Sequence, residues 1–363
     1  MSVPIGRHEL DQLFGTKPPP GLESIQAMRW GAKNPPNDPQ VSFSGKNVMI
    51  TGANSGIGYE AAMKFVKLGA SKVILAVRTP EKGYAAKQKI QVSVEKECKC
   101  HSIIVMQLDM NDFGSVKHFA TGLAQEVGAD GLQVAILNAG VAPGTYSVVK
   151  ETGWESALQV NVLSTALLAI CILPLLKQGS AENGQPAQLI LTGSAQCISV
   201  TEKMPYDAPK VLEALNEPGS FHPRSSYLTT KLLVVYVMQG LIDDYLAALP
   251  DQPLPVTISV VCPGYTVTKI CRNLSWPSKI LMMLLNTYGG RSAEEGSRSL
   301  ISASLLGADG HGKFWTNDSF LDVEHASTSE GRKLQARVWK EIREVCVNEL
   351  SKETDRRVLR WVR

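Results

Sequence analysis

The stretch Thr51-Gly52-Ala53-Asn54-Ser55-Gly56-Ile57-Gly58 spaces three glycines as G-x3-G-x-G. It follows the apolar run Asn47-Val48-Met49-Ile50-Thr51 and leads into a helical pattern that starts near Tyr59 and runs through Leu68. Between a strand and a helix, glycines let the backbone approach a pyrophosphate, and the helix N-terminus offers N–H groups to it. Gly52, Asn54, Ser55, Gly56, Ile57 and Gly58 are therefore candidates for holding a dinucleotide. Twenty residues after Gly58 a second apolar run, Val73–Val77, ends at Arg78, with Lys82 close behind. A carboxylate at this point suits the ribose hydroxyls of NAD, whereas a guanidinium pairs bidentately with a 2′-phosphate. The expected cofactor is NADP(H).

Such residues need a scaffold that brings strand ends together. Further strand-length apolar runs occur at Ile103–Leu108, Val134–Leu137, Gln188–Thr192 and Val256–Val261. Helical patterns are expected between them, from Pro80 to about Glu97, over Gly153–Leu176 and over Ser226–Leu249. Continuous apolar strands alternating with helices imply a parallel sheet covered on both faces. The expected fold class is α/β, a Rossmann-type doubly wound parallel sheet with helices on both faces, in a single domain over residues 45–363. Residues 1–44 read as a proline-rich N-terminal extension, holding seven of the twenty prolines, Pro18-Pro19-Pro20 and Pro35-Pro36 among them. Proline fixes φ and opposes regular helix, so the extension is expected to be an arm on the domain or partly disordered.

Composition narrows the function classes. Thirty-seven Lys and Arg against thirty-four Asp and Glu leave a net charge of +3, too weak and too dispersed for nucleic acid. Seven cysteines, without a CxxC, argue against a disulfide framework and fit a reducing compartment. Cys98, Cys100 and His101 lack a second ligand pair at zinc spacing, so no metal is expected. The chain opens without an apolar signal segment. Its longest uncharged apolar run, Val162–Leu176, contains Pro174 and falls short of the roughly 20 residues that span a bilayer. No transmembrane segment and a cytoplasmic protein are expected, with Val162–Leu176 a buried or dimer-interface helix.

The residues resemble the short-chain dehydrogenase/reductase family from about Gly45 to Trp315. Leu108-Asp109 is similar to the family's adenine-contacting Asp, and Asn138-Ala139-Gly140 to its Asn-Ala-Gly turn. Asn161 stands where the family has a helix Asn that holds a water in a proton relay. Leu191-Thr192-Gly193-Ser194 is similar to the strand end carrying the catalytic Ser. Pro263-Gly264-Tyr265-Thr266-Val267-Thr268 resembles the segment that caps the nicotinamide side. The resemblance thereby implies Pro263, Gly264, Thr266 and Thr268 as cofactor contacts, Thr268 at the family's hydroxyl position. Arg78 and the long Ser-to-Tyr interval resemble the retinol-dehydrogenase-like branch. The proline-rich front is similar to fungal tailoring members of secondary metabolism.

The family's Tyr-x3-Lys occurs four times, at Tyr146/Lys150, Tyr206/Lys210, Tyr227/Lys231 and Tyr265/Lys269. Both side chains share a face only where the segment is helical. Tyr146 sits in a strand-like run, and Tyr265 lies in the Pro-Gly segment itself. Tyr206 lies 12 residues after Ser194, near the usual interval, but Pro209 inside its motif disfavours helix. Tyr227 opens an apolar helix with Ser225 or Ser226 as its expected N-cap. Tyr227 and Lys231 are the expected pair, which makes residues 197–222 an insertion beside the site.

An isolated phenol has a pKa near 10 and is a poor base at neutral pH. An ammonium one turn away favours the phenolate. The resemblance then gives Ser194 the carbonyl oxygen to polarise, Tyr227 the proton to transfer and Lys231 the nicotinamide ribose to bind. Residues 269–290, with Met282 and Met283, are expected to form a lid over a small apolar carbonyl or alcohol substrate. The leading expectation is an NADP(H)-dependent ketone or aldehyde reductase, or secondary-alcohol dehydrogenase, forming a homodimer or homotetramer. Two alternatives use the same residues: an epimerase, dehydratase or cyclase with bound NADP, and a non-catalytic NADPH-binding regulator.

Overall fold

Among the described residues, eight strands numbered in chain order join one sheet, with the spatial order third, second, first, fourth, fifth, sixth, seventh, eighth. The computed structural model describes residues 14–94, 102–200, 204–246, 254–267 and 288–352, except residues 16, 20, 22, 23 and 206. β1 (Asn47–Thr51), β2 (Lys72–Val77), β3 (Ser102–Gln107) and β4 (Val134–Leu137) are followed by β5 (Ala187–Thr192), β6 (Val256–Cys262) and β7 (Phe314–Thr316). All of these pair in parallel, and β8 (Ser319–Leu321) closes the edge antiparallel to β7. β1, β4 and β6 are buried along their whole length, as expected of apolar strands covered on both faces. The order reverses between β1 and β4, and the crevice at the carboxyl ends beside such a switch is where doubly wound sheets bind ligands.

Two apolar layers sandwich the sheet. On one face α2 (Gly56–Lys67), α3 (Pro80–Val94) and α8 (Ala293–Ala303) cover a core that includes Phe43, Ile50, Phe65, Leu75 and Ile301. On the other lie α4 (Phe113–Val127), α5 (Ser164–Asn183), α7 (Pro223–Tyr245) and the last helix, α10 (Ser329–Ser351). Two short helices, α6 (Val211–Asn216) and α9 (Glu324–Ser327), lie between the longer ones in the chain.

The apolar helix is core. Over Leu158–Glu182 it is long and apolar enough by composition to cross a membrane, but 89% of its apolar stretch is buried within this chain. α10 packs against α5 and α7, so a second copy is not needed to cover them. Leu167, Leu168 and Ile172 are fully buried there, and truncating any one to Ala costs about 2–5 kcal/mol.

The N-terminal extension holds one element that its prolines argued against. Ten residues between its two proline clusters, Ser24–Lys33, form a regular helix, α1. The prolines punctuate the segment without breaking it, because none falls inside those ten residues. The extension is fastened to the domain at several points. Phe14 packs against Trp315 in a tilted arrangement with centroids 4.9 Å apart, Asp38 pairs with Lys64 at 2.6 Å, and Phe43 meets Phe65 edge-on at 4.8 Å.

Candidate active site

The glycine turn is built for close approach. Gly52 follows β1 with φ +69° and donates its N–H to the Ala76 carbonyl at 2.8 Å, which pins the turn to β2. A β-carbon on Gly58 would lie 2.6 Å from Asn138 Nδ2 and 2.7 Å from the Gly52 carbonyl oxygen. Only glycine fits between the turn and the loop after β4. α2 begins at Gly56, earlier than the sequence pattern suggested. Ser55 precedes it in extended backbone, and its side chain does not cap the first turn. That first turn therefore keeps the donor character that suits a pyrophosphate. The cradle fits a dinucleotide in both shape and polarity.

Arg78 follows β2 and is exposed, as is Lys82. Thr51 pairs with Ala76 across β1 and β2, so Arg78 stands two residues beyond the base of the glycine turn. Asp109 follows β3, where Leu108 N–H bonds the Val77 carbonyl at 2.8 Å. Its Oδ1 accepts from Asn111 N at 3.0 Å and Asn111 Nδ2 at 2.9 Å, which fixes the carboxylate beside the same row of strand ends.

The Asn-Ala-Gly turn after β4 is tied to β1 twice. Asn138 Nδ2 donates to the Thr51 carbonyl at 3.0 Å, and Ala139 N–H donates to Thr51 Oγ1 at 2.8 Å. A β-carbon on Gly140 would stand 3.2 Å from Asn161 Oδ1 and 3.6 Å from Lys231 Nζ, so this turn, Asn161 and Lys231 converge.

Asn161 lies in a π-helical turn, Leu158–Leu163, that precedes α5. Such widened turns are uncommon and concentrate at functional sites, because they redirect one side chain out of the helical register. Asn161 Oδ1 accepts from Val141 N at 2.8 Å, while its Nδ2 donates to the Val141 carbonyl at 2.9 Å and to Thr230 Oγ1 at 3.0 Å. Thr230 in turn donates to the Tyr227 carbonyl at 2.7 Å.

Tyr227 and Lys231 both lie in α7, one turn apart, with Nζ 5.7 Å from the ring centroid. Lys231 is 4% exposed, and its Nζ donates to the Thr192 carbonyl at 2.8 Å. Burial pulls its pKa down to about 8, against a smaller opposing effect of the thiols of Cys262 and Cys197. Ser194 is two residues past Thr192, half-buried, and the short turn that follows it packs on α7. Thr192 Oγ1 is buried with no hydrogen-bond partner. The predicted N-cap is corrected: His222 is the cap residue and Pro223 opens the helix. Ser226 turns back instead, its Oγ accepting from His222 N at 2.8 Å, because Pro223 already supplies the φ that starts a helix.

Sequence relatives place the chain in a family. The short chain dehydrogenase family model matches residues 46–212. Short-chain dehydrogenase/reductase phmF of Phaeosphaeria nodorum is 38% identical over 327 residues, 90% of this chain and 94% of that protein. The chain belongs to the short-chain dehydrogenase/reductase family. Short-chain dehydrogenase/reductase ffsI of Aspergillus flavipes is likewise 38% identical, over 92% of this chain and 94% of that one. Among solved structures, an NADPH-bound carbonyl reductase from chicken fatty liver shares the fold with a TM-score of 0.53 and 20% identity, covering 77% of this chain and 97% of that one.

In this dehydrogenase/reductase the matched stretch stops before Tyr227 and Lys231, within the segment read as an insertion. That segment is anchored on both sides. Glu341 of α10 accepts from Val211 N at 2.9 Å and Leu212 N at 2.8 Å, while Asn216 Oδ1 accepts from Glu155 N at 2.6 Å. Tyr146, one of the discarded tyrosines, donates to the Asn216 carbonyl at 2.8 Å and meets Phe221 edge-on. It braces the insertion. Tyr206, Thr268, residues 269–287 of the expected lid, and Cys98, Cys100 and His101 lie outside the described residues.

The Pro-Gly segment of this dehydrogenase/reductase turns through Gly264, with φ +78°. Thr266 Oγ1 donates to the carbonyls of Pro263 at 3.2 Å and Gly264 at 3.3 Å, bracing the turn from inside. Thr230 and Arg291 were missed by sequence reading. Thr230 carries no signal beyond its place before Lys231. Arg291 follows two glycines and precedes the Ser292/Glu295 capping box of α8, a context that looks like an ordinary helix start.

Proposed function

We propose that this short-chain dehydrogenase/reductase uses NADP(H) to reduce a ketone or aldehyde of an apolar small molecule, or to oxidise the corresponding secondary alcohol. The observation that carries the reading is the convergence of Lys231, Tyr227, Asn161 and the Thr192–Ser194 strand end on the crevice beside the glycine turn. When bound, the nicotinamide supplies or accepts the hydride. Tyr227 gives the proton to the developing alkoxide, or takes it in the reverse direction. Ser194 donates a hydrogen bond to the carbonyl oxygen, where negative charge builds. Lys231 keeps a positive charge next to the phenol from a buried position, where that charge is weakly screened. Asn161, locked by its bonds to Val141 and Thr230, holds the wall of the relay in place.

Gly52, Asn54, Ser55, Gly56, Ile57 and Gly58 would hold the pyrophosphate, with Asp109 and Asn138–Gly140 along the adenine side and strand ends. Pro263, Gly264, Thr266 and Thr268 would face the nicotinamide. The preference for the 2′-phosphorylated cofactor rests on Arg78, supported by Lys82. The fungal relatives support a place in secondary metabolism. Consumption of NADPH and NADH is measured against apolar ketones, aldehydes and secondary alcohols, with product identification. Turnover of an apolar carbonyl with NADPH supports the reading. Turnover of a small charged hydroxy acid alone, or faster turnover with NADH, counts against it.

A further inference from the structure

α1 ends because of its own sequence. Pro35 and Pro36 follow it, and Pro35 has no N–H to offer the Gly31 carbonyl four residues earlier. That orphan carbonyl is taken by Arg291, from a distant part of the chain. Arg291 Nε donates to Gly31 O at 2.8 Å and Nη2 donates to the same oxygen at 2.6 Å, with Asn34 O a further 3.3 Å contact. A guanidinium at a helix C-terminus also meets the negative end of the helix dipole. Arg291 is 2% exposed, among the largest fully buried side chains in the protein. A buried cation on a helix end is costly unless its donors are used.

The other side of Arg291 holds the Pro-Gly segment. Its Nη1 lies 3.4 Å from the Pro263 carbonyl, and a β-carbon on Gly264 would be 2.5 Å from that same nitrogen. Its backbone is zipped to the segment as well: Arg291 N donates to the Tyr265 carbonyl at 2.8 Å, and Val267 N donates to the Arg291 carbonyl at 2.9 Å. One residue thus bonds α1 through its side chain and residues 263–267 through both side chain and backbone. A second contact runs beside it, where Arg29 of α1 donates to Tyr288 OH at 3.1 Å with its guanidinium over the ring.

We infer that α1 is a positioning element for the nicotinamide end of the site, and that Arg291 is the positioning residue that transmits it. This rests on reading Pro263–Thr266 as the nicotinamide side. With α1 seated, the guanidinium is held against Gly264 and the turn keeps one setting. Without that support the Pro-Gly segment loses its backing, while the glycine turn and Arg78, on other strand ends, keep theirs.

The test compares two ligands on the full chain: NADPH, and adenosine 2′,5′-bisphosphate, which carries the adenine half and no nicotinamide. Arg291→Met should weaken NADPH by about tenfold, the size of one lost charge-assisted hydrogen bond, and change the bisphosphate by less than about twofold. Arg291→Lys should recover part of the loss. Gly31→Ala approaches from the opposite side, since its methyl would lie 3.1 Å from Arg291 Nη2, and it raises helix propensity instead of lowering it. It should also weaken NADPH selectively, by a smaller factor, and it decides the matter if Arg291→Met fails to fold. Equal losses for both ligands, or NADPH affinity unchanged in both variants, would overturn the inference and leave the cofactor reading standing. A wild-type protein that binds the bisphosphate but gains nothing from the nicotinamide half would overturn the reading of Pro263–Thr266, and the inference with it.

Discussion

Lys231 Nζ reaches across from α7 to the carbonyl oxygen of Thr192 at 2.8 Å, two residues short of Ser194. This bond ties the helix that carries the tyrosine to the strand that carries the serine. It also holds an ammonium in a place water scarcely reaches, and that has a titration consequence.

Burial lowers the Lys231 pKa to about 8 from an ordinary value of 10.5. Between those two values the unfolded chain binds a proton that the folded protein has released. Stability therefore rises with pH through this window, and the full cost of burying the ammonium is felt below it. Urea unfolding at a series of pH values should show that rise in the wild-type protein and lose it in Lys231→Met. Carbonyl reduction should run the other way, falling as pH passes about 8, because the ammonium is the form that supports Tyr227. Wild-type and Lys231→Met stability curves with the same slope would contradict the assignment.

Tyr227→Phe removes only a hydroxyl, so NADPH binding should stay close to wild-type. Turnover should fall by about 10²–10⁴, the usual worth of a positioned proton donor. Tyr206→Phe should keep most activity. Steady-state rates of the two variants rank the tyrosines directly, and the reverse order would make Tyr206 the donor.

Arg78→Asp replaces a guanidinium by a carboxylate at the expected 2′-phosphate position. NADPH affinity should drop by about 1.5–3 kcal/mol, while NADH affinity holds or improves. Fluorescence titration of both cofactors measures this. Equal wild-type affinities for NADPH and NADH would sink the NADP(H) preference.

Gly58→Ala tests the cradle. Its β-carbon would meet Asn138 Nδ2 at 2.6 Å and the Gly52 carbonyl at 2.7 Å, so the turn or the Asn138 loop must move. Both nicotinamide cofactors should bind at least about tenfold more weakly, since either shift withdraws several backbone donors together. Unchanged dinucleotide affinity would show that the turn lies away from the binding site.

Several features needed no fold to be read. The limits of β1 and β4, Asn47–Thr51 and Val134–Leu137, follow from their unbroken apolar runs, because strands buried on both faces have no polar alternation to blur their ends. The glycine turn was legible for a related reason: close backbone approach excludes every other residue type, so the requirement is written in the sequence itself. Helix starts were less legible. Pro223, and not a serine, opens α7, and the local sequence offered both signals at once.

The tertiary structure decided what depends on contacts between distant segments. Whether Val162–Leu176 faces a second copy or the interior is settled by α10, which begins more than 150 residues later and packs against the same helix. The three bonds that lock Asn161 come from Val141 and Thr230, 20 and 69 residues away. Arg291 looks like part of a helix start in sequence, but its guanidinium takes the Gly31 carbonyl at the end of α1, 260 residues upstream. Residue type and spacing set local backbone geometry, and so the sequence determined β1 to β6, though not the short edge strands β7 and β8, together with the glycine turn and the placing of Tyr227 and Lys231 one turn apart on a helix. Which buried polar group satisfies which other is fixed only when the sheet is assembled, because an orphan carbonyl accepts whatever donor packing brings to it.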